Sequence, residues 1–478
     1  MAANRLNWRP ALTYIKLFAV VASFLVLLTP YLMLLHFVMQ SQNNVQHHTS
    51  GNRTHKVQHY LSGNRTHNVQ HHTSGNQTHS VQHHLSGNRI HNIIKPPLAT
   101  AAEWLLNMST IYSVKDTNCA ALIAGDKQIL HQTLQNNLTK SPKAFNDDFY
   151  IDLTSDCVHF KRYRGYIDSF LSQEERDFPL AFSILVYKDV EMVERLLRSI
   201  YRPQNYYCIH VDKKSPIKFY QAVSAIAKCF PNVFMTSRRI DVTWGKFSVL
   251  EPEILCMEDL WRYKKWRYYI NLTGQEFPLK TNGQLVKILK AFNGSNDMAG
   301  SLKRVIPGRF YGTMPPLGIR PVKGQVHVVV NRYFVDYILH NETAHTLLNW
   351  TRSTHVPDET FFVTLNYNPQ LGIRGTFKGD PDHSSYVNRY KVWRQNINNK
   401  TCAGQFVRDI CILTIGDLPS LTQSMQLFAN KFFQDVDSLV IGCLEEKLFN
   451  ETRDEYLGLK TFDASGYKKL RAVLNQVT

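Results

Sequence analysis

The sequence predicts an α/β fold built on a mainly parallel sheet with helices on both faces. Two observations point there. Between residues 180 and 292, short apolar runs alternate with stretches of helical spacing. The runs also read as strands buried on both sides, the pattern of a sheet covered twice. Leu180 to Tyr187 (LAFSILVY) is the first such strand, and Val190 to Ser199 follows as a helix with Met192, Leu196 and Leu197 on one side. Tyr206 to Val211 (YYCIHV) is a second strand, Pro216 to Ala227 a helix, and a short strand lies near Val233. Val249 to Trp261 then reads as helix, Arg267 to Leu272 (RYYINL) as strand and Leu285 to Phe292 as helix. Ligands of such sheets gather beyond the carboxyl ends of the strands, and Asp212 stands directly after the second one.

The N-terminal part has a different character. Residues 1–16 form a short basic tail, and Leu17 to Met39 is apolar and long enough to span a bilayer as a helix. Arg5, Arg9 and Lys16 precede it, so the positive-inside rule predicts a type II single-pass anchor with everything after Gln40 in a lumen. Residues 40–100 contain four copies of a twelve-residue unit, beginning VQHHTSGNRTHK, that is too poor in large apolar residues to build a core. This is a stem, and its histidines carry no preset geometry for a metal. From residue 101 to 478 the composition is that of one globular domain. Its eight cysteines all follow the membrane segment and fit four disulfides in an oxidising compartment. Asn-X-Ser/Thr sequons at Asn107, Asn137, Asn271, Asn293, Asn341, Asn349, Asn399 and Asn450, with three more in the stem, agree. The net charge of +17 comes without a basic run interleaved with aromatics, which argues against nucleic acid and leaves anionic nucleotide-sugars or acidic glycans as partners.

The stretch VPDETFF, from Val356, reads in isolation as a helix start: Pro357 suits the first position, and Asp358 and Glu359 complement the helix dipole. The same carboxylates could instead serve as a base. Longer blocks bear on that choice. FPLAFSILVYKDVEMVERLLRSIYRPQNYYCIHVDKKS, YYINLTGQEFPLKTN, VPDETFF, FVRDICILTIGDL and LFANKFFQDVD occur in the same order as in the β-1,6-N-acetylglucosaminyltransferases, the core 2 and I-branching enzymes, which this chain resembles from about Asp116 to Leu448.

The resemblance implies a GT-A-like, Rossmann-type mixed sheet flanked by helices, in a luminal catalytic domain anchored in the Golgi membrane. It implies inverting transfer of GlcNAc from UDP-GlcNAc to a 6-hydroxyl of a GalNAc or Gal acceptor on O-glycans, without a divalent metal or other cofactor. Glu359 falls on the family's base, with Asp358 beside it. Arg408 and Lys431 fall on the two cations that receive the diphosphate, chemistry that suits a bidentate guanidinium and a mobile ammonium. Leu185, Val186, Tyr187, Asp212, Lys213, Lys214 and Trp244 are the expected donor pocket, and Trp393, Lys303 and Arg304, or Arg309, the expected acceptor contacts. The family's bridges carry over as Cys119 with Cys443, Cys157 with Cys229, Cys208 with Cys256, and Cys402 with Cys411. Asp435 to Asp437 and Asp380 to Asp382 spell Asp-X-Asp, but neither is the expected metal site. Two acceptor positions depart from the pattern, at Ala299 and Gln395. Other acceptors (poly-N-acetyllactosamine), another donor (UDP-xylose) and a decayed, glycan-binding homologue are the alternatives. A homo-oligomer is compatible with the sequence, which does not specify one.

Overall fold

A computed structural model of the chain describes residues 101–136, 144–395 and 401–478. The tail, membrane segment and repeat stem lie outside these residues. Among the described residues no helix is long and apolar enough to cross a membrane.

Strands β1 (Leu180–Val186), β2 (Tyr206–Val211), β3 (Val233–Met235) and β4 (Tyr268–Thr273) run parallel in the order β3-β2-β1-β4. The helices Val190–Ile200, Ile217–Lys228 and Glu251–Trp261 separate them in sequence, each within a few residues of its predicted span. Strand β5 (Glu276–Pro278) leaves the sheet. Strands β6 (Asp297–Ser301) and β7 (Lys323–Asn331) then extend it antiparallel, giving a six-stranded mixed sheet ordered β3-β2-β1-β4-β7-β6. The alternation in residues 180–292 did not show this reversal, because β7 follows a Pro- and Gly-rich segment, not a crossover helix, and so can return antiparallel.

Side chains alternate along β1 between two cores. Phe182, Ile184 and Val186 face Leu196 and Leu197 of one helix and Val223 and Ile226 of another. Ala181 shares the opposite core with Cys256, Met257 and Leu260. Each large buried apolar side chain contributes about 1.5–3 kcal/mol. A buried carboxylate inside is paired. Glu253 is buried, and it accepts hydrogen bonds from Ser183 at 2.6 Å, Tyr269 at 2.5 Å and Asn271 at 3.2 Å. Burial raises its pKa, and those donors oppose the rise.

A second, three-stranded sheet carries most of the chemistry described below. Strand β8 (Arg389–Tyr390) and β11 (Phe428–Asn430) are parallel, and β5 joins β11 antiparallel. Between them in sequence, β9 (Phe406–Val407) and β10 (Ile410–Cys411) form a hairpin. All four bridges implied by the resemblance form: Cys119–Cys443, Cys157–Cys229, Cys208–Cys256 and Cys402–Cys411.

The helix Leu439–Tyr456 is held to the helix Val190–Ile200 by charge. Glu445 accepts from Arg195 at 2.7 Å and from Arg198 at 2.6 Å, all three being buried. Burial pushes the Glu445 carboxyl up, but the two guanidinium groups outweigh it and hold the pKa below the ordinary value. Glu445→Leu leaves buried Arg195 without its carboxylate and Arg198 with only Glu194 at 3.4 Å, and should cost about 3–5 kcal/mol. A lowered thermal midpoint would report the loss, with Glu445→Gln, which keeps hydrogen-bond acceptance, falling less.

Candidate active site

The small sheet sets three charged residues side by side. Register places Asn430 of β11 opposite Glu276 of β5, and the parallel pairing of β8 with β11 brings Lys391 and Lys431 off the same end. Glu276 is fully buried, and it accepts from Arg389 at 3.0 Å, Asn430 at 3.0 Å and the Thr273 N–H at 3.3 Å. His327 of β7 approaches the same carboxylate through Nδ1 at 3.1 Å. Burial, with Lys391 and Arg389 nearby, depresses the His327 pKa well below its ordinary value, so the ring is neutral. A neutral ring that donates from Nδ1 to Glu276 accepts at Nε2, where Lys391 Nζ lies 3.0 Å away.

Lys391 is a residue that sequence reasoning missed. Burial lowers its pKa to about 8, and the charges of both Glu359 and Lys431 act on it. The expected base and one expected phosphate-binding cation therefore share its surroundings. Its ammonium also sits 5.1 Å from the ring centre of Trp393, which brings that expected acceptor residue to the same place. The signal available in sequence was a lysine in the strand pattern NRYKVW, which is equally compatible with a solvated edge.

Lys431 follows β11 directly and is buried. Desolvation lowers its pKa, and so do the positive charges of Arg408 and Lys188. Three cations thus gather beyond the carboxyl end of β1, with Phe433 beneath two of them: Lys188 at 5.0 Å and Lys431 at 5.4 Å from its centre. Arg408 owes its exposure to the hairpin. It and Asp409 are the two turn residues between β9 and β10, with φ of 51° and 61°. Both positive values define the tight hairpin turn usually given to Asn-Gly. The Cys402–Cys411 bridge and the Arg394 N–H, which donates to the Asp409 carbonyl at 2.9 Å, keep that turn in place.

Glu359 lies in a short 3-10 turn, Pro357–Glu359, ahead of the helix Phe361–Asn366. The expected helix start is therefore a separate turn. Val356 before it has φ of 54°, a strained value for a β-branched residue. The strain is held by two backbone bonds, Val356 N–H to the Gly245 carbonyl at 2.9 Å and His355 N–H to the Arg309 carbonyl at 2.8 Å. Arg309 also reaches Glu359 Oε2 at 2.7 Å, and Lys323 reaches the same oxygen at 3.2 Å. Oε1 takes part in neither contact. Asp358 points the other way, into the protein. It is buried with Oδ1 unpartnered, and burial, then the Glu359 charge, pushes its pKa up to about 7.

The remaining expected residues sort themselves by position. Val186 ends β1 in the core, Leu185 is half-buried, and Tyr187 is exposed just beyond the strand. Asp212 is tied to its own loop, accepting from the Lys214 N–H at 2.9 Å, and Lys214 pairs with Asp241 at 2.9 Å. Lys213 and Lys214 are exposed. Trp244 is 73% exposed and meets His355 edge-on at 5.5 Å, which puts it next to the Glu359 turn. Lys303 and Arg304 are exposed on a turn whose backbone is held by Asp382, and the guanidinium that meets Glu359 belongs to Arg309 instead. The second aspartates of both Asp-X-Asp stretches are committed to backbone. Asp382 accepts from the Leu302 and Lys303 N–H groups, and buried Asp437 accepts from those of Ile415, Leu439 and Val440.

A mixed sheet with a cationic cluster beyond its strand ends and a salt-bridged carboxylate nearby is the arrangement of a group-transfer enzyme acting on an anionic donor. Comparison with known proteins makes this specific: residues 180–422 match the Core-2/I-Branching enzyme family, and the chain belongs to that family of glycosyltransferases. It is 36% identical over 367 residues to the bovine "Beta-1,3-galactosyl-O-glycosyl-glycoprotein beta-1,6-N-acetylglucosaminyltransferase 3", covering 70% of this chain and 82% of that one. A human protein of the same name without the numeral is 37% identical over 364 residues, 70% of this chain and 85% of its own. A bovine herpesvirus 4 protein of that name is 35% identical over 379 residues, with 72% and 85% covered.

Asp358→Asn tests whether that carboxyl is held neutral. Its folded pKa of about 7 lies above the unfolded value near 3.9, so its contribution to stability is complete below about pH 4 and is lost as pH rises through 7. The variant should therefore narrow the difference in thermal midpoint between about pH 5 and about pH 8. Some difference should remain, because burial raises Asp297 to about 7 as well.

Proposed function

We propose that the protein is an inverting, metal-independent β-1,6-N-acetylglucosaminyltransferase that uses UDP-GlcNAc to branch O-glycans of the core 2 type. The observation that carries this reading is the cation cluster at Phe433, where Lys188 and Lys431 lie 5.0 and 5.4 Å from the ring centre, together with Lys391, on which the charges of both Glu359 and Lys431 act. Family membership and the names of the relatives supply the donor and acceptor classes. The mixed sheet is compatible with a GT-A-like fold, and a membrane-anchored Golgi enzyme with a luminal domain fits the disulfides and the apolar segment at 17–39.

In this reading the acceptor 6-hydroxyl gives its proton to Glu359, through the oxygen that Arg309 and Lys323 do not engage. The hydroxyl oxygen then forms its bond to the anomeric carbon while the bond from that carbon to the UDP oxygen breaks. Negative charge grows on the departing diphosphate, and Arg408 and Lys431 receive it. Placing permanent cations there in advance stabilises the transition state without reorganisation at the moment of reaction. Trp393 offers an apolar face for an acceptor sugar. Tyr187 and Trp244 flank the donor side.

The direct test incubates the full chain with UDP-GlcNAc and Galβ1-3GalNAc in EDTA, and a new β-1,6 branch is the expected product. A strict requirement for Mn²⁺ would overturn the two-cation account. Glu359→Gln should lower kcat by roughly 10²–10⁴-fold while UDP still binds. Lys391→Met removes a charge that acts together with those of Glu359 and Lys431, and it strands His327 Nε2. It should lower kcat/KM by about tenfold or more, the scale of losing about 1.4 kcal/mol of transition-state stabilisation. Lys391→Arg should recover part of the loss.

A further inference from the structure

The opposite end of the large sheet holds a cavity of about 620 Å³ that the transfer reaction does not use. It opens where β4 begins and β7 ends, lined by Tyr268 and Asn331. The six-residue strand β4 separates it from the catalytic end. Trp261 and Tyr333 give the cavity aromatic faces, and Arg332 and Arg374 give it guanidinium groups. Arg332 lies 3.9 Å from the ring centre of Trp261 and 4.2 Å from that of Trp266. Arg374 lies 4.7 Å from the ring centre of Tyr333, which is 57% exposed. Arg332 donates to the Tyr263 and Trp261 carbonyls at 2.8 and 3.2 Å, so the exposed Arg374 is the guanidinium that faces the cavity. An aromatic face beside such a planar donor suits a pyranose, whose C–H face stacks while its hydroxyl and amide oxygens accept hydrogen bonds.

Asn293 lines the same cavity, is exposed, and heads the tripeptide Asn-Gly-Ser. Its φ of 50° is in the left-handed region that asparagine tolerates. The tripeptide backbone is clamped by two other residues of the cavity wall. The Tyr268 hydroxyl accepts from the Gly294 N–H at 3.0 Å and donates to the Ser295 carbonyl at 3.1 Å. The Asn331 side chain donates to the Gly294 carbonyl at 2.5 Å. Asn293 is therefore presented from a fixed platform at the cavity. Asn271 offers a contrast within the same chain: it is buried in β4, and its amide is spent on Glu253, the Val326 carbonyl and the Val328 N–H.

We propose that Asn293 carries an N-linked glycan whose first sugars rest in this cavity against Trp261, Tyr333 and Arg374. The chemistry is amide glycosylation by a lipid-diphosphate-linked oligosaccharide. The asparagine amide nitrogen bonds to the anomeric carbon and loses one proton, the bond from that carbon to the diphosphate oxygen breaks, and the lipid diphosphate leaves. Transfer precedes folding, since the Ser295 hydroxyl ends up buried and donates to the Ala472 carbonyl at 2.8 Å. A tethered sugar also suits a shallow site. Its attachment raises the local concentration, so weak stacking is enough, whereas a free saccharide would bear the full entropic cost of association. The proposal needs a luminal domain but does not depend on which sugar the enzyme transfers.

The full chain, made in a glycosylating cell line, is treated with peptide-N-glycosidase in heavy-oxygen water, first folded and then denatured, and its peptides are weighed. The expected result is a glycan at Asn293 that is released at least about tenfold more slowly from the folded protein than from a Tyr333→Ser/Arg374→Ser variant. That variant should retain transferase activity, which verifies its fold. A bare Asn293 would overturn the proposal. So would native release as fast as at the other occupied sequons, or resistance that the double variant leaves unchanged.

Discussion

The buried carboxylate of Glu276 is the constraint on which the catalytic half of the molecule depends. A fully buried charge is tolerated only when its oxygens are paired, and here the partners come from β4, β7, β8 and β11. Arg389, also fully buried, balances its charge at 3.0 Å. Because three of these partners neighbour Lys391 or Lys431, satisfying Glu276 positions both lysines: Asn430 precedes Lys431, Arg389 lies two residues before Lys391, and His327 holds Lys391 directly. The energetic requirement of one anion thus becomes the placement of two cations.

That coupling explains which parts of the molecule were legible in the sequence. The four parallel strands and their helices were legible because doubly covered strands make continuous apolar runs set in regular alternation with helical spacing. Strands β8 to β11 were not, since each is only two or three residues long; β8 and β11 are held by the Glu276 network, and the β9–β10 hairpin by the Cys402–Cys411 bridge. Glu359, Arg408 and Lys431 could be named only through ordered blocks shared with a family; their composition and spacing leave the bland readings open. Lys391 and His327 could not be named at all, because their role rests on a contact across 64 positions of sequence. Arg309 was one of several basic residues in a segment without periodicity, and only a backbone bond from His355 selects it.

Both Asp-X-Asp stretches illustrate a related point. A short acidic motif invites a metal, but an aspartate in the first turn of a helix or at a tight turn is equally useful as an acceptor for backbone N–H groups. Asp437 and Asp382 are used in that second way, and their oxygens are occupied accordingly. The positive charge near the strand ends comes instead from Lys188, Arg408 and Lys431, whose mutual repulsion and desolvation depress the pKa of Lys431. Such a cluster is unfavourable until an anion arrives. Its cost is the counterpart of an affinity for negative charge.

The Trp244 loop and the Glu359 turn are joined by backbone more than by side chains. Gly245, next to Trp244, accepts from Val356, and the following residues are the turn that carries Glu359. Gly245 has φ of 77°, and a Cβ there would come within 2.7 Å of His355 Nε2, so only glycine lets the two segments approach this closely. His355 in turn donates to the Arg309 carbonyl, and Arg309 closes the loop by gripping Glu359. The Trp244 loop, the Glu359 turn and Arg309 are therefore linked into one hydrogen-bonded unit. Displacement of the Trp244 loop would be felt at Glu359 through the Gly245–Val356 hydrogen bond and a strained valine, so the position of that carboxylate depends on the conformation of this loop.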